Sequence, residues 1–214
     1  MDIENQTDYW NKVSNDKEFT TRLDMSLIDK FVDKEALIVD YGCGYGRTLN
    51  ELYLHGYRNL LGFDYASAMI QRGQREYPYL NLQTCQDNKI ACEADSVSLV
   101  ILFAVLTCII DNDKQEELIN EIIRVLKPGG MIYINDFLIN SDDRNLERYR
   151  MYAGKYNTYG VFELPEGAVL RHHEESWITT LTEQFKKEHY QRITFQTMNG
   201  HTSNGFIFMG RKKG

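Results

Sequence analysis

Apolar residues along this chain follow two alternating rhythms. The short runs ALIVDY (36–41), NLLGFD (59–64), LNLQTCQ (80–86), SVSLVILFAV (96–105) and MIYINDF (131–137) have the length and β-branched content of buried strands. Between them the apolar residues recur every three or four positions. RTLNELYLHG (47–56) closes on Gly56, SAMIQRGQREY (67–77) is stopped by Pro78, and KQEELINEIIRVL (114–126) ends at Lys127-Pro128-Gly129-Gly130. Each reads as a helix. Ahead of them, TRLDMSLIDKFV places Leu23, Leu27, Ile28 and Phe31 on one helical face, so residues 5–34 are expected to be mostly helical. Strand and helix therefore alternate from 36 to 137, which predicts an α/β fold with a parallel sheet covered by helices on both faces.

The rhythm changes after residue 137. ERYRMY has helical character, and YGVFELPEGAVLRHH holds two short strand-like runs around Pro165-Glu166-Gly167. ESWITTLTEQF is a helix. QRITFQTM and HTSNGFIFMG are strands flanking Asn199-Gly200, a two-residue hairpin signal. With no repeat and no composition break, the expectation is a single domain over 1–214. It divides into an N-terminal helical cover (1–35), a core (36–137), an insertion (138–175) and a last helix with a strand hairpin (176–214).

Composition narrows the class. The chain has 214 residues, 43% hydrophobic and 26% charged, enough for one well-formed core in a soluble globular protein. Its longest apolar run, Leu99–Leu106, is too short to span a bilayer, and MDIENQTDYW lacks the basic and apolar regions of a secretory signal. Four scattered cysteines without a CxxC pair read as reduced thiols in a cytoplasmic protein. A formal charge of −7 argues against a nucleic-acid binder.

Candidate chemistry begins at IVDYGCGYGR (38–47), where Gly42, Gly44 and Gly46 follow a strand and precede a helix. Glycines there let the main chain turn sharply and approach a ligand, and the helix aims its N–H groups at it. A dinucleotide site uses G-x-G-x-x-G; here the spacing is G-x-G-x-G, with Asp40 two residues ahead. An acid at that point disfavours a pyrophosphate, and so an NAD-dependent oxidoreductase. It suits a ligand with a cationic end.

Asp40-Tyr41-Gly42-Cys43-Gly44-Tyr45-Gly46 resembles motif I of the class I S-adenosylmethionine-dependent methyltransferases. The resemblance continues through Asp64-Tyr65 to Met69, similar to the family's ribose-binding turn, and Asp87-Asn88, where the family reads adenine. It extends to Leu126–Gly130, similar to the loop before the family's fifth strand. Four motifs in order are far more specific than one. The resemblance covers residues 36–137 and the final strand pair. It implies a Rossmann-like, seven-stranded, mostly parallel sheet with an antiparallel last strand and a lid insertion after strand five. The implied cofactor is S-adenosyl-L-methionine, leaving as S-adenosyl-L-homocysteine. The implied contacts are Asp40, Gly42, Cys43, Gly44, Asp64, Tyr65, Met69, Asp87, Asn88 and Phe103, with Tyr9 and Trp10 covering them. Asp40 is expected to order the loop and the cofactor amino group. No metal is implied, and no H-x-x-x-H or Cys/His set is present.

The acceptor is expected at the carboxyl ends of the strands. His172, His173 and His201 are the candidates for contact or base catalysis, each with a structural role as the alternative. If 168–173 is a strand, His172 and His173 face opposite sides, so at most one reaches the pocket. Aromatic residues of the cover (Phe19, Tyr152, Tyr156, Tyr159, Phe162, Trp177) are pocket candidates, with packing as the alternative. Arg144, Arg148, Arg150 and Arg171 are candidates to pair an anionic acceptor, with a solvated face as the alternative. The leading function is methyl transfer to a small-molecule O, N or S acceptor by a monomer or homodimer. Methylation of tRNA or protein, and non-catalytic cofactor binding, are the other two readings.

Overall fold

The computed structural model describes residues 6–19, 21–86, 89–196 and 200–214. Helices α1 (Thr7–Lys12) and α2 (Met25–Phe31) precede the alternating core. The core runs β1 (Ile38–Tyr41), α3 (Arg47–Leu54), β2 (Leu60–Asp64), α4 (Ser67–Glu76), β3 (Asn81–Thr84), β4 (Val97–Phe103), α5 (Asn112–Val125) and β5 (Leu126–Phe137). Then come α6 (Asp143–Tyr156), β6 (Val161–Glu163), β7 (Val169–Arg171), α7 (Glu175–Leu181), β8 (Phe185–Gln196) and β9 (Thr202–Lys212).

Seven strands form one sheet in the order β3-β2-β1-β4-β5-β9-β8. β9 runs antiparallel to both its neighbours, and the other pairings are parallel. This is the Rossmann-like sheet that the sequence implied. Strand alternation sorts the side chains into two cores. Ile38, Leu99, Ile101, Met131 and Tyr133 pack on one face, and Val39, Val100, Leu102, Ile132 and Ile134 on the other. The strand order reverses between β1 and β4, which opens a crevice at their carboxyl ends.

The elements depart from expectation at two places. β5 begins at Leu126, pairing with Val97 before a register shift, so the Lys127–Gly130 turn is held at the sheet margin. β8 begins at Phe185 because α7 stops at Leu181, which makes the final ribbon longer than its apolar pattern suggests. The last described pair of that ribbon is Gln196↔Thr202, and residues 197–199, with Asn199 of the expected turn, lie outside the described residues.

Residues 138–175 form α6 and a separate two-stranded sheet, β6 with β7, whose turn is the anticipated Pro165-Glu166-Gly167. This unit is tied to the main sheet by the Leu138↔His173 bridge and by His173 N–H donating to the Phe137 carbonyl at 3.1 Å. Among the described residues no helix is long and apolar enough to cross a membrane.

Candidate active site

A cavity of about 540 Å³ fills the crevice. Its floor is the loop after β1. Gly42 has φ +76°, and a Cβ there would stand 2.5 Å from Val105 Cγ2, so a side chain is excluded by both strain and space. The Gly42 and Cys43 N–H groups donate to the Phe63 carbonyl at 2.7 and 3.0 Å, which pins the loop across β2. Gly44 N–H donates to Asp64 Oδ2 at 2.7 Å, and Ala66 N–H donates to Asp64 Oδ1 at 2.8 Å. Asp64 therefore orders both the glycine loop and the turn into α4. Burial raises its carboxyl pKa and the two N–H donors oppose the rise. Each oxygen keeps a lone pair for a further donor.

Gly42, Cys43, Gly44, Asp64, Tyr65, Met69 and Phe103 all line the cavity, as does Trp10. Two expected contacts stand behind the wall instead. Tyr9 packs edge-on against Trp10, with ring centroids 5.0 Å apart, and does not line the cavity. Asp40 is also absent from the lining and is 1% exposed. Neither of its oxygens has a hydrogen-bond partner among the described residues, so it does not order the loop as expected; Asp64 does. Burial pushes the Asp40 pKa up to about 8, with Arg47 pulling it down and Asp64 adding to the rise. Asp87 and Asn88 lie outside the described residues.

The N-terminal cover is fastened to α4. Asn11 Oδ1 accepts from Ala68 N–H at 2.9 Å in the first turn of that helix. Arg72 donates to the Ser14 and Lys17 carbonyls at 2.9 and 2.8 Å while stacking on Tyr45. Phe19 stacks on Tyr45 in turn, and Trp10 leans on Phe19. Lys17 pairs with Glu166 in the β6–β7 turn at 3.3 Å, so the two covers meet across the cavity. Gln6 spans the same gap: its amide donates to the Val169 carbonyl at 2.5 Å and the Cys108 carbonyl at 3.1 Å, and accepts from Val169 N–H at 2.7 Å.

The far wall is made by Phe137, Arg144, Arg148, Phe162, Leu164, Leu170 and His172, with Phe195, His201 and Ser203 from the final ribbon. His172 is buried. Its Nδ1 lies 2.6 Å from the Tyr149 hydroxyl and 3.1 Å from Asn140 Nδ2. Asn140 Nδ2 can only donate, and the Tyr149 oxygen already accepts from Asn140 N–H at 3.3 Å, so the tyrosine proton points at Nδ1. Nδ1 is the acceptor, and Nε2 carries the ring proton with no partner among the described residues. Burial, with Arg148 and His173 nearby, holds the His172 pKa well below the ordinary value. The ring is a neutral N–H donor at the cavity wall, so of the two roles expected of it, contact or base, this geometry suits contact.

His173 faces the other way, as strand alternation requires. It lies outside the cavity lining, 2.9 Å from Gln115 Nε2, and its Nδ1 is 3.2 Å from the Phe137 carbonyl. Burial lowers its pKa to about 3, so it is a packing residue of the sheet margin, not a base. Arg171 is likewise structural, donating to the Ile110 carbonyl and to Asn112 Oδ1. Tyr152, Tyr156, Tyr159 and Trp177 do not reach the cavity, whereas Phe19 and Phe162 do. The sequence reading missed Phe137, Asn135, Leu170 and Phe195. Their one signal was alternation with core residues along the strands near the crevice.

With this geometry in view, residues 38–130 match the family model described as a methyltransferase domain. That match takes in the glycine loop, Asp64 and the Lys127–Gly130 turn, the stretch in which the sequence resembles the class I S-adenosylmethionine-dependent methyltransferases. The chain is similar to a SAM-dependent methyltransferase from Methanosarcina mazei, with 22% identity, 90% of this chain and 99% of that one covered, and a TM-score of 0.85. It also resembles the Burkholderia thailandensis 1,6-didemethyltoxoflavin-N1-methyltransferase, solved with 1,6-didemethyltoxoflavin and S-adenosylhomocysteine (16% identity, 100% and 82% covered, TM-score 0.64). A third is the geranyl diphosphate C-methyltransferase of Streptomyces coelicolor (11% identity, 88% and 77% covered, TM-score 0.63). A comparison with curated proteins finds no match.

Proposed function

We propose that this protein transfers the methyl group of S-adenosylmethionine to a small-molecule acceptor. The observation that carries the reading is the continuity of one cavity from the glycine loop and Asp64 to the apolar wall around Phe162. Its volume of about 540 Å³ lies within the range of small-molecule sites, roughly 300–1,000 Å³. The residues present fit the cofactor: Asp64 offers spare lone pairs to ribose hydroxyls, Met69 and Phe103 offer flat apolar surface to a base, and the buried, unpartnered Asp40 offers a carboxyl below the loop. When bound, the cofactor supplies a sulfonium methyl activated for in-line displacement. The chain's own part is alignment, worth about 7–11 kcal/mol as effective molarity in well-oriented systems.

In this reading Trp10 and Phe19 exclude water over the cofactor. Residues 138–175 act as the lid of the acceptor half, and the His172 N–H and His201 meet the acceptor. Four unpaired thiols support a cytoplasmic setting. Calorimetry is expected to show micromolar binding of S-adenosylhomocysteine and no comparable binding of NAD. Mass spectrometry of a small-molecule panel should then find one methylated product with S-adenosylhomocysteine formed in step. Tight NAD binding without S-adenosylhomocysteine binding would overturn the proposal.

A further inference from the structure

The cavity is more cationic than the chain that surrounds it. Among the described residues Lys17, Arg47, Lys114, Arg144 and Arg148 line it with two carboxylates, Asp64 and Glu166, in a protein of formal charge −7. A cleft that opposes the sign of the whole surface concentrates ligands of the opposite charge, here anions. Four of the five cations are already engaged. Lys17 pairs with Glu166 at 3.3 Å, Arg47 with Glu51 at 3.5 Å, Lys114 with Glu117 at 3.0 Å and Arg144 with Asp142 at 3.9 Å.

Arg148 is the exception. It makes no ion pair within 4.0 Å among the described residues and its buried Nε has no hydrogen-bond partner, so the Tyr149 hydroxyl and the more distant Asp142 are what steady its charge. Its guanidinium lies flat over Phe162, 3.5 Å from the ring centroid, and Phe162 in turn meets His172 edge-on at 4.8 Å. A half-buried cation without a close counter-charge is costly, and an arriving anion offsets that cost. The guanidinium fork matches a planar carboxylate through two parallel N–H bonds. Beside it the wall is apolar: Phe137, Phe162, Leu164, Leu170 and Phe195.

We propose that the acceptor is a compact apolar carboxylate, its carboxylate seated on Arg148 and its body enclosed by Phe137, Phe162 and Phe195. This rests on the methyl-transfer reading of the same cavity. The His172 N–H, one ring away from Arg148, is a neutral donor to the same ligand. Arg47, on the glycine-loop side, is left to the cofactor.

The test uses the full chain saturated with S-adenosylhomocysteine, titrated calorimetrically with benzoate, phenylacetate and hexanoate and with the corresponding neutral amides. At least one carboxylate should bind about tenfold or more tightly than its amide, the loss expected when a charge-assisted bond is replaced. Arg148→Met should abolish that preference, Arg148→Lys should restore part of it, and both variants should bind S-adenosylhomocysteine as the parent does. Equal binding of acid and amide, absence of binding by every carboxylate, or a preference that survives Arg148→Met would overturn the proposal. So would weaker S-adenosylhomocysteine binding in Arg148→Met, which would place Arg148 on the cofactor instead. Failure of the parent to bind S-adenosylhomocysteine would overturn the methyl-transfer reading itself.

Discussion

On the Gly42 side of the cavity the wall comes from residues 41–66, which hold the ends of β1 and β2, and from Phe103–Val105 after β4. On the Phe162 side it is side chains drawn from β5, α6, β6, β7 and the final ribbon, spread over residues 137–203. The first half is fixed by sheet register, with Asp40↔Gly62 and Tyr41↔Phe63 setting the loop against β2. The second half depends on individual contacts such as Tyr149 with His172 and Lys17 with Glu166. The contrast is between a half set by strand register and a half set by individual side-chain contacts.

The largest effect that probes the contrast is expected beneath the half set by register. In the folded chain Asp40 is held near a pKa of about 8 by burial, against about 3.9 in an unfolded chain. Between those values the folded state binds the extra proton, so this residue makes stability fall as pH rises from about 4 to about 8, with no further change above. Asp40→Asn removes that decline. In urea unfolding over a pH series, the variant should gain on the parent by on the order of 5 kcal/mol across the window. A gap that stays constant with pH would mean Asp40 is ionised in the folded chain.

Next in size is Asp64→Ala. It strips the acceptors from Gly44 and Ala66 N–H and is expected to weaken S-adenosylhomocysteine binding by about 3 kcal/mol with the circular dichroism unchanged. An unaltered affinity would remove Asp64 from the cofactor site. The smallest effect belongs to the side-chain-built half. Tyr149→Phe loses the 2.6 Å bond to His172 and should cost about 1 kcal/mol of stability while cofactor affinity holds. Nitrogen NMR of His172 should show the proton on Nε2 in the parent. A proton on Nδ1 would contradict the donor assignment.

The same contrast explains what could be read from residues alone. Asp64, Gly42 and Gly44 announce themselves because their roles depend on local conformation: a strand end, a turn, a helix start. The hairpin around Pro165-Glu166-Gly167 was legible for the same reason. Even the opposite facing of His172 and His173 followed from strand alternation. What could not be read was long-range pairing. Nothing local shows that Asn140 and Tyr149 occupy one nitrogen of His172, or that Gln115 occupies His173. Arg148 and Arg144 look alike in sequence, four residues apart on one helix. Only the fold shows that Arg144 pairs with Asp142 while Arg148 lies over Phe162 without an ion pair among the described residues.

One contact has a consequence for association with other chains. β7 pairs with β6 on one side only, which leaves the outward groups of Val169 and Arg171 along a bare edge. Gln6 covers Val169 by offering its amide as a peptide group would, and the Thr107 hydroxyl donates to the Arg171 carbonyl at 2.8 Å. Side chains thus complete the ladder where a third strand would otherwise attach. Gln6 belongs to the N-terminal segment, so that segment is also a guard against edge-to-edge aggregation. Lifting it away would uncover a strand ready to recruit the same strand from a neighbouring molecule.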